Sequence, residues 1–122
     1  MEDLKKIIGE AWDNRVLLSE PNVIDAISKV MYALDSGTLR CAEPDGKGGW
    51  RVNDWVKKAV ILNFPIQTME TIEVGPFEFH DKMPLKTGYA EAGVRVVPHA
   101  IARFGSYIAP GTILIVGCME TG

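Results

Sequence analysis

The chain has 122 residues, 47% hydrophobic and 24% charged, with a formal net charge of −3. These proportions exclude a disordered polymer and fit one domain with a core of its own. Thirteen basic residues against sixteen acidic ones, with adjacent lysines only at Lys5-Lys6 and Lys57-Lys58, exclude the clustered basic excess on which nucleic-acid binding rests.

Residues 2–15 are expected to form a helix, because Leu4, Ile7, Ile8, Ala11 and Trp12 recur at a spacing that lines one face. Residues 20–36 repeat the pattern with Val23, Ala26, Ile27, Val30, Met31 and Leu34. Ser19 is placed to cap this helix, Pro21 suits its first turn, and Gly37 supplies a left-handed stop. The short Leu17-Leu18-Ser19 link makes the two an antiparallel helical hairpin. A β-hairpin comes next: Leu39 to Glu43 and Trp50 to Val52 flank Asp45-Gly46-Lys47-Gly48-Gly49, and Asp-Gly tolerates the positive φ of a tight turn. Asn53 is expected to cap a third helix from Asp54 to about Asn63, ended by Pro65. Its apolar residues Trp55, Val56, Ala59, Val60, Ile61 and Leu62 cover more than one face, which predicts a central, largely buried helix.

Thr71 to Lys86 is strand-like, interrupted at Gly75-Pro76 and Met83-Pro84, and Val94 to Val97 is a further β-branched run stopped by Pro98. In the last stretch Gly105, Gly111, Gly117 and Gly122 punctuate a chain in which Ile101, Tyr107-Ile108 and Ile113-Leu114 return about every six residues. Six is the period of a parallel β-helix, whose short strands turn a corner and stack. The expected fold class is α+β: a helical hairpin, a β-hairpin and a central third helix, followed by the start of a left-handed parallel β-helix. The expected division is an α/β domain over residues 1–92 and the incomplete β-helix over 93–122.

Few residues stand out chemically. The two cysteines, Cys41 and Cys118, have no Cys-x-x-Cys spacing, so neither a zinc site nor a redox motif is supported; a single disulfide stays open. Cys41 is most simply a small buried hydrophobe. His80 and His99, the two imidazoles, read as surface or hydrogen-bonded residues. Trp12, Trp50 and Trp55 read as core or half-buried packing. Gly46-Lys47-Gly48-Gly49 lacks the phosphate-loop pattern and reads as a turn. The polar start and the short Ile113–Val116 apolar run predict no signal peptide and no membrane span, hence a cytoplasmic protein.

Several stretches taken together resemble one family. They are Leu34-Asp35-Ser36-Gly37-Thr38-Leu39-Arg40, Ala42-Glu43, Trp55 to Leu62, Asp81-Lys82-Met83-Pro84-Leu85-Lys86, Gly93-Val94-Arg95-Val96-Val97-Pro98 and Ile108-Ala109. Their order and spacing resemble the tetrahydrodipicolinate N-succinyltransferases, acyltransferases of bacterial diaminopimelate and lysine biosynthesis. The resemblance implies an N-terminal α/β domain, a long left-handed β-helix and three subunits side by side. Succinyl-CoA, as co-substrate, and a cyclic dicarboxylate amine precursor would bind in grooves between neighbouring β-helices. It implies no covalently bound cofactor and no metal.

Within that family the arginine of the Gly-x-Arg-Val-Val-Pro motif binds substrate, which makes Arg95 the substrate-binding candidate. A guanidinium presents planar, bidentate donors to a carboxylate. The bland alternative is an arginine paired with Glu91 or simply solvated. The family's catalytic carboxylates lie further along the β-helix, so no residue here is assigned a catalytic role. Glu120, the one carboxylate after Arg95, lies in a tail from Ile115 to Gly122 that departs from the family pattern. The chain is accordingly expected to be truncated and inactive by itself. The rival expectation is a non-catalytic assembly module formed by the N-terminal domain.

Overall fold

The computed structural model describes residues 1–116. Helices α1 (Glu2–Asp13), α2 (Pro21–Ser36) and α3 (Asp54–Ile66) pack pairwise on one another, with a 3-10 turn (Arg15–Ser19) between the first two. The apolar stripes read from the sequence face inward: Ile8, Ile27, Val30, Val56 and Leu62 are the largest fully buried side chains. Removing such stripes from water is the main force joining three helices this short. Gly37 closes α2 with φ +80°, a backbone state that a Cβ would penalise.

The strands form three separate two-stranded sheets. Strands β1 (Ala42–Pro44) and β2 (Trp50–Val52) form the expected hairpin, antiparallel, with Ala42 opposite Val52. Asp45 holds its loop by accepting hydrogen bonds from the amides of Lys47 (2.7 Å) and Gly49 (2.9 Å) on Oδ1. Strands β3 (Glu70–Val74) and β4 (Phe77–Asp81) form a second antiparallel hairpin. Their register, Ile72 opposite Phe79 and Val74 opposite Phe77, puts these four apolar side chains on one face. Strands β5 (Arg95–Val96) and β6 (Ile113–Leu114) pair in parallel, Arg95 beside Ile113 and Val96 beside Leu114. The architecture is α+β, as expected.

Several local expectations are corrected. The first helix ends at Asp13 rather than residue 15, because Asn14 leaves the helical backbone and its Oδ1 accepts from the Val16 amide (3.3 Å). Ser19 does not cap α2. It lies inside the 3-10 turn, where its hydroxyl donates to the Val16 carbonyl (3.0 Å), and Glu20 occupies the cap position. Asn53 makes no side-chain cap either; its Nδ2 donates to the Arg40 carbonyl (2.8 Å) and its amide to the Cys41 carbonyl (2.7 Å), tying α3 to the chain entering β1. Pro65 does not end α3, which continues to Ile66. In the last turn the ring forfeits one hydrogen bond, on a side of the helix where Ile61 and Pro65 are exposed. Trp50 is 70% exposed and Cys41 is exposed in the bend before β1, so neither is a core residue. Cys118 and Glu120 lie outside the described residues, as does any disulfide of Cys118.

Candidate functional site

Arg95 is held by its backbone and left open at its side chain. Glycine at position 93, with φ +71°, closes a tight turn in which the Val94 amide donates to the Tyr89 carbonyl (2.9 Å). From there the ladder runs on: Gly111 amide to Gly93 carbonyl (2.8 Å), Arg95 amide to Thr112 carbonyl (3.0 Å) and Val97 amide to Leu114 carbonyl (3.0 Å). Alternation then sorts the side chains. Val94 is buried, Val96 and Leu114 are half-buried, and Arg95 and Ile113 project to solvent side by side.

The guanidinium meets no carboxylate among the described residues. Their four ion pairs are Lys29–Asp25, Arg51–Glu43, Lys86–Asp35 and Arg103–Asp81. The alternative partner Glu91 is therefore not engaged, and Arg95 stands solvated. Its nearest company on that face is apolar: Ile113 is 53% exposed, and Ile115 and Val116 are exposed beyond it.

The larger clefts lie elsewhere. One of about 470 Å³ runs between the β3–β4 hairpin and the 101–103 segment, walled by Ile72, Phe79, Leu85 and Ile101, with the Arg103–Asp81 pair (3.2 Å) among its lining groups. An almost wholly apolar groove of about 430 Å³ shares Phe79, Leu85 and Ile101 with it and extends past Val74, Phe77 and Pro98. A polar cleft of about 400 Å³ lies beside Lys5, Arg51, Asn53 and Trp55. Arg95 lines none of the three. His80 bonds Thr71 through Nδ1 (2.8 Å), and His99 leans on Phe77 at 6.2 Å between ring centres, so neither imidazole is brought to Arg95 as a base. No three His, Cys, Asp or Glu side chains gather in a metal-binding group among the described residues.

The electrostatics single out the first hairpin. The hydrogen bond and charge of Arg51 hold the Glu43 carboxyl below its ordinary range, and Glu43 in turn raises Arg51. Asp45 is lowered by the two loop amides it accepts. Arg51 is exposed and Glu43 half-exposed at the surface, so solvent screens the pairing and it orders the hairpin only locally.

The sequence alone assigns no role to Asp35 and Lys86. Lys86, its side chain only 7% exposed, places Nζ 2.9 Å from Asp35 Oδ1 across fifty-one residues of chain. No spacing rule connects positions so far apart; the one signal is that both lie in stretches carrying the family resemblance.

An α+β unit of three helices and small hairpins that leads into a parallel strand pair defines the class of molecule. The family described as tetrahydrodipicolinate N-succinyltransferase N-terminal matches residues 3–66, more than half of the chain, and the chain belongs to that family. It is 44% identical over 131 residues to the 2,3,4,5-tetrahydropyridine-2,6-dicarboxylate N-succinyltransferase of Paracidovorax citrulli (strain AAC00-1), covering 99% of this chain and 48% of that protein. It is 43% identical over 132 residues to the enzyme of the same name from Azoarcus sp. (strain BH72), covering 100% and 48%. Against that of Cupriavidus metallidurans (strain ATCC 43123 / DSM 2839 / NBRC 102507 / CH34) it is 45% identical over 130 residues, covering 98% and 47%. The chain thus spans about half the length of the curated relatives it matches.

Proposed function

We propose that the protein carrying this chain is an N-succinyltransferase of diaminopimelate and lysine biosynthesis. It moves the succinyl group of succinyl-CoA onto tetrahydrodipicolinate, giving N-succinyl-2-amino-6-oxopimelate and CoA. In the transfer the amine nitrogen of the opened, hydrated acceptor bonds to the thioester carbonyl carbon. The carbon–sulfur bond breaks, the amine proton passes to a base, and the thiolate leaves as CoA. The observation that carries the reading, beside family membership, is Arg95. Its guanidinium is free of carboxylate partners among the described residues, and its backbone is locked by ladder bonds on both sides. Such a group is pre-organised to take one carboxylate of a dicarboxylate substrate in bidentate fashion. The base and the thioester groove come from residues other than those described here.

We further infer that the chain divides between residues 92 and 93, and that the first turn of a left-handed parallel β-helix begins at Gly93. In support, β6 lies beside β5 in parallel eighteen residues later, three hexads, as stacked sides of a three-sided coil require. Homotrimeric packing fits the outward apolar strip of Ile113, Ile115 and Val116, which a neighbouring coil would cover along with the exposed Arg95. The sparse cysteines fit a cytoplasmic enzyme. The rival reading, an assembly module, is favoured by one observation: Val74 and Phe77 stand half-exposed on the apolar groove.

The test is succinyl transfer itself. The protein carrying this chain, given succinyl-CoA and tetrahydrodipicolinate, should release one thiol for each succinylated product detected by mass. Thiol release independent of the dicarboxylate, or none, would leave the module reading standing.

A further inference from the structure

Two of the stretches that carry the family likeness, around Asp35 and around Lys86, meet in space without any role in the chemistry above. We propose that Asp35 and Lys86 are positioning residues. They form a largely buried ionic latch, Lys86 7% and Asp35 22% exposed at the side chain, that fixes the strand bearing Arg95 in one orientation on the helical unit. The proposal rests on the reading of Arg95 as a substrate-binding residue.

Lys86 is clamped from two directions. Its amide donates to the Ala102 carbonyl (2.9 Å), pairing the 84–86 segment with the 102–104 segment, while its Nζ reaches both the carboxylate (2.9 Å) and the carbonyl (3.1 Å) of Asp35. Asp35 lies in the last turn of α2, and the same Oδ1 accepts the Gly105 amide at 2.8 Å. One carboxylate oxygen thus gathers α2, the 84–86 segment and Gly105.

The residues flanking Gly105 lie on the C-terminal part of α2 and the chain just after it. Tyr107 lies against Gly37 with Arg40 over its ring at 4.3 Å, and Phe104 meets Tyr32 edge-on at 5.0 Å. Five residues beyond Tyr107, Thr112 accepts the Arg95 amide, and β6 follows at once beside β5, its Leu114 accepting the Val97 amide.

The energetics of a largely buried ion pair explain why one should serve here. Here the ammonium of Lys86 loses nearly all its hydration and the Asp35 carboxylate most of it; such a pair adds little net stability over apolar residues of the same volume, but it accepts only one geometry. Apolar contacts such as Phe104 on Tyr32 tolerate sliding. The three-way bond at Asp35 Oδ1 does not. The latch therefore specifies orientation more than it stabilises.

The test exploits that difference. In the variant Asp35→Leu with Lys86→Met, the pair is exchanged for apolar side chains. Site-resolved amide exchange is measured together with thermal unfolding. The expected result is a melting temperature little changed and core amides of Val30 and Leu62 as protected as before, while the amides of Arg95, Val97 and Gly105 exchange at least tenfold faster. The exposed pair is the control: Lys29→Met, which breaks Lys29–Asp25, should leave all of these rates alone. Unchanged protection at Arg95, Val97 and Gly105 would overturn the latch. So would a uniform acceleration that includes Val30 and Leu62, since that would make the pair a general stability element. Absence of succinyl transfer by the parent protein would overturn the reading of Arg95 without touching these rates.

Discussion

Substituting alanine for Gly37 probes the seam between the helices and the hexad region with a magnitude the structure supplies. Gly37 has φ +80°, and a Cβ there would lie 2.6 Å from Cδ2 and 2.7 Å from Cε2 of Tyr107, well inside contact distance. Gly46 is the natural control, with φ +77° and no atom within 4 Å of the same imagined carbon. Backbone strain of about 1–2 kcal/mol applies to both sites, offset by about 0.4–1 kcal/mol from a stiffer unfolded chain. Gly46→Ala should therefore cost about 1 kcal/mol or less. At Gly37 the Tyr107 ring must also swing away. It surrenders the Arg40 contact, about 0.5–1 kcal/mol, and part of its apolar burial, about 1 kcal/mol. Gly37→Ala should then cost about 2–3 kcal/mol in urea unfolding. In a Tyr107→Ala background its cost should fall to the Gly46 value, a coupling that a double-mutant cycle reads directly. Equal costs for Gly37→Ala and Gly46→Ala, indifferent to Tyr107, would refute the seam.

Other expectations are simpler to check. Leu62→Ala empties a fully buried site on α3 and should cost about 2–5 kcal/mol by a lowered urea midpoint at unchanged slope. Trp50→Ala, at a residue 70% exposed, should stay within about 0.5 kcal/mol. Glu43 and Asp45 should titrate below their ordinary values in carbon-detected NMR. Since a depressed carboxyl stabilises the fold above its unfolded pKa and ceases to as pH falls through its folded one, the Lys47 and Gly49 amide signals should shift only below the ordinary carboxylate range. Arg51→Ala should return Glu43 toward its ordinary value while leaving Asp45 low, because Asp45 owes its shift first to the loop amides.

The legible parts of the fold are those governed by local periodicity. The inward stripes of α1, α2 and α3, the Gly37 stop and the Asp45-Gly46 turn all follow from side-chain spacing or from positive φ. The positions that sequence misplaces share another property: each is a polar or cyclic residue with a choice of partners. Ser19, Asn14 and Asn53 can satisfy a helix end or another backbone group, and only the assembled chain decides which. Pro65 misleads because a proline in a final turn breaks one bond rather than a helix. Trp50 and Cys41 belong inside by residue type alone, yet a short two-stranded hairpin on the surface has no second layer to bury them. At the candidate site, Arg95 is singled out by its motif alone, and its exposure is supplied by the structure. Asp35–Lys86 is not, since an ion pair between segments fifty-one residues apart exists only once tertiary structure brings them together.

The most direct measurement is a comparison of Arg95→Lys with the parent protein in steady-state succinyl transfer. Lysine keeps the charge and loses the planar fork, so the KM for the dicarboxylate should rise about tenfold or more, the cost of roughly one bidentate charge-assisted bond. The KM for succinyl-CoA should stay where it was. A dicarboxylate KM that does not move, or one that moves together with that of succinyl-CoA, would contradict the assignment of Arg95 to the substrate carboxylate.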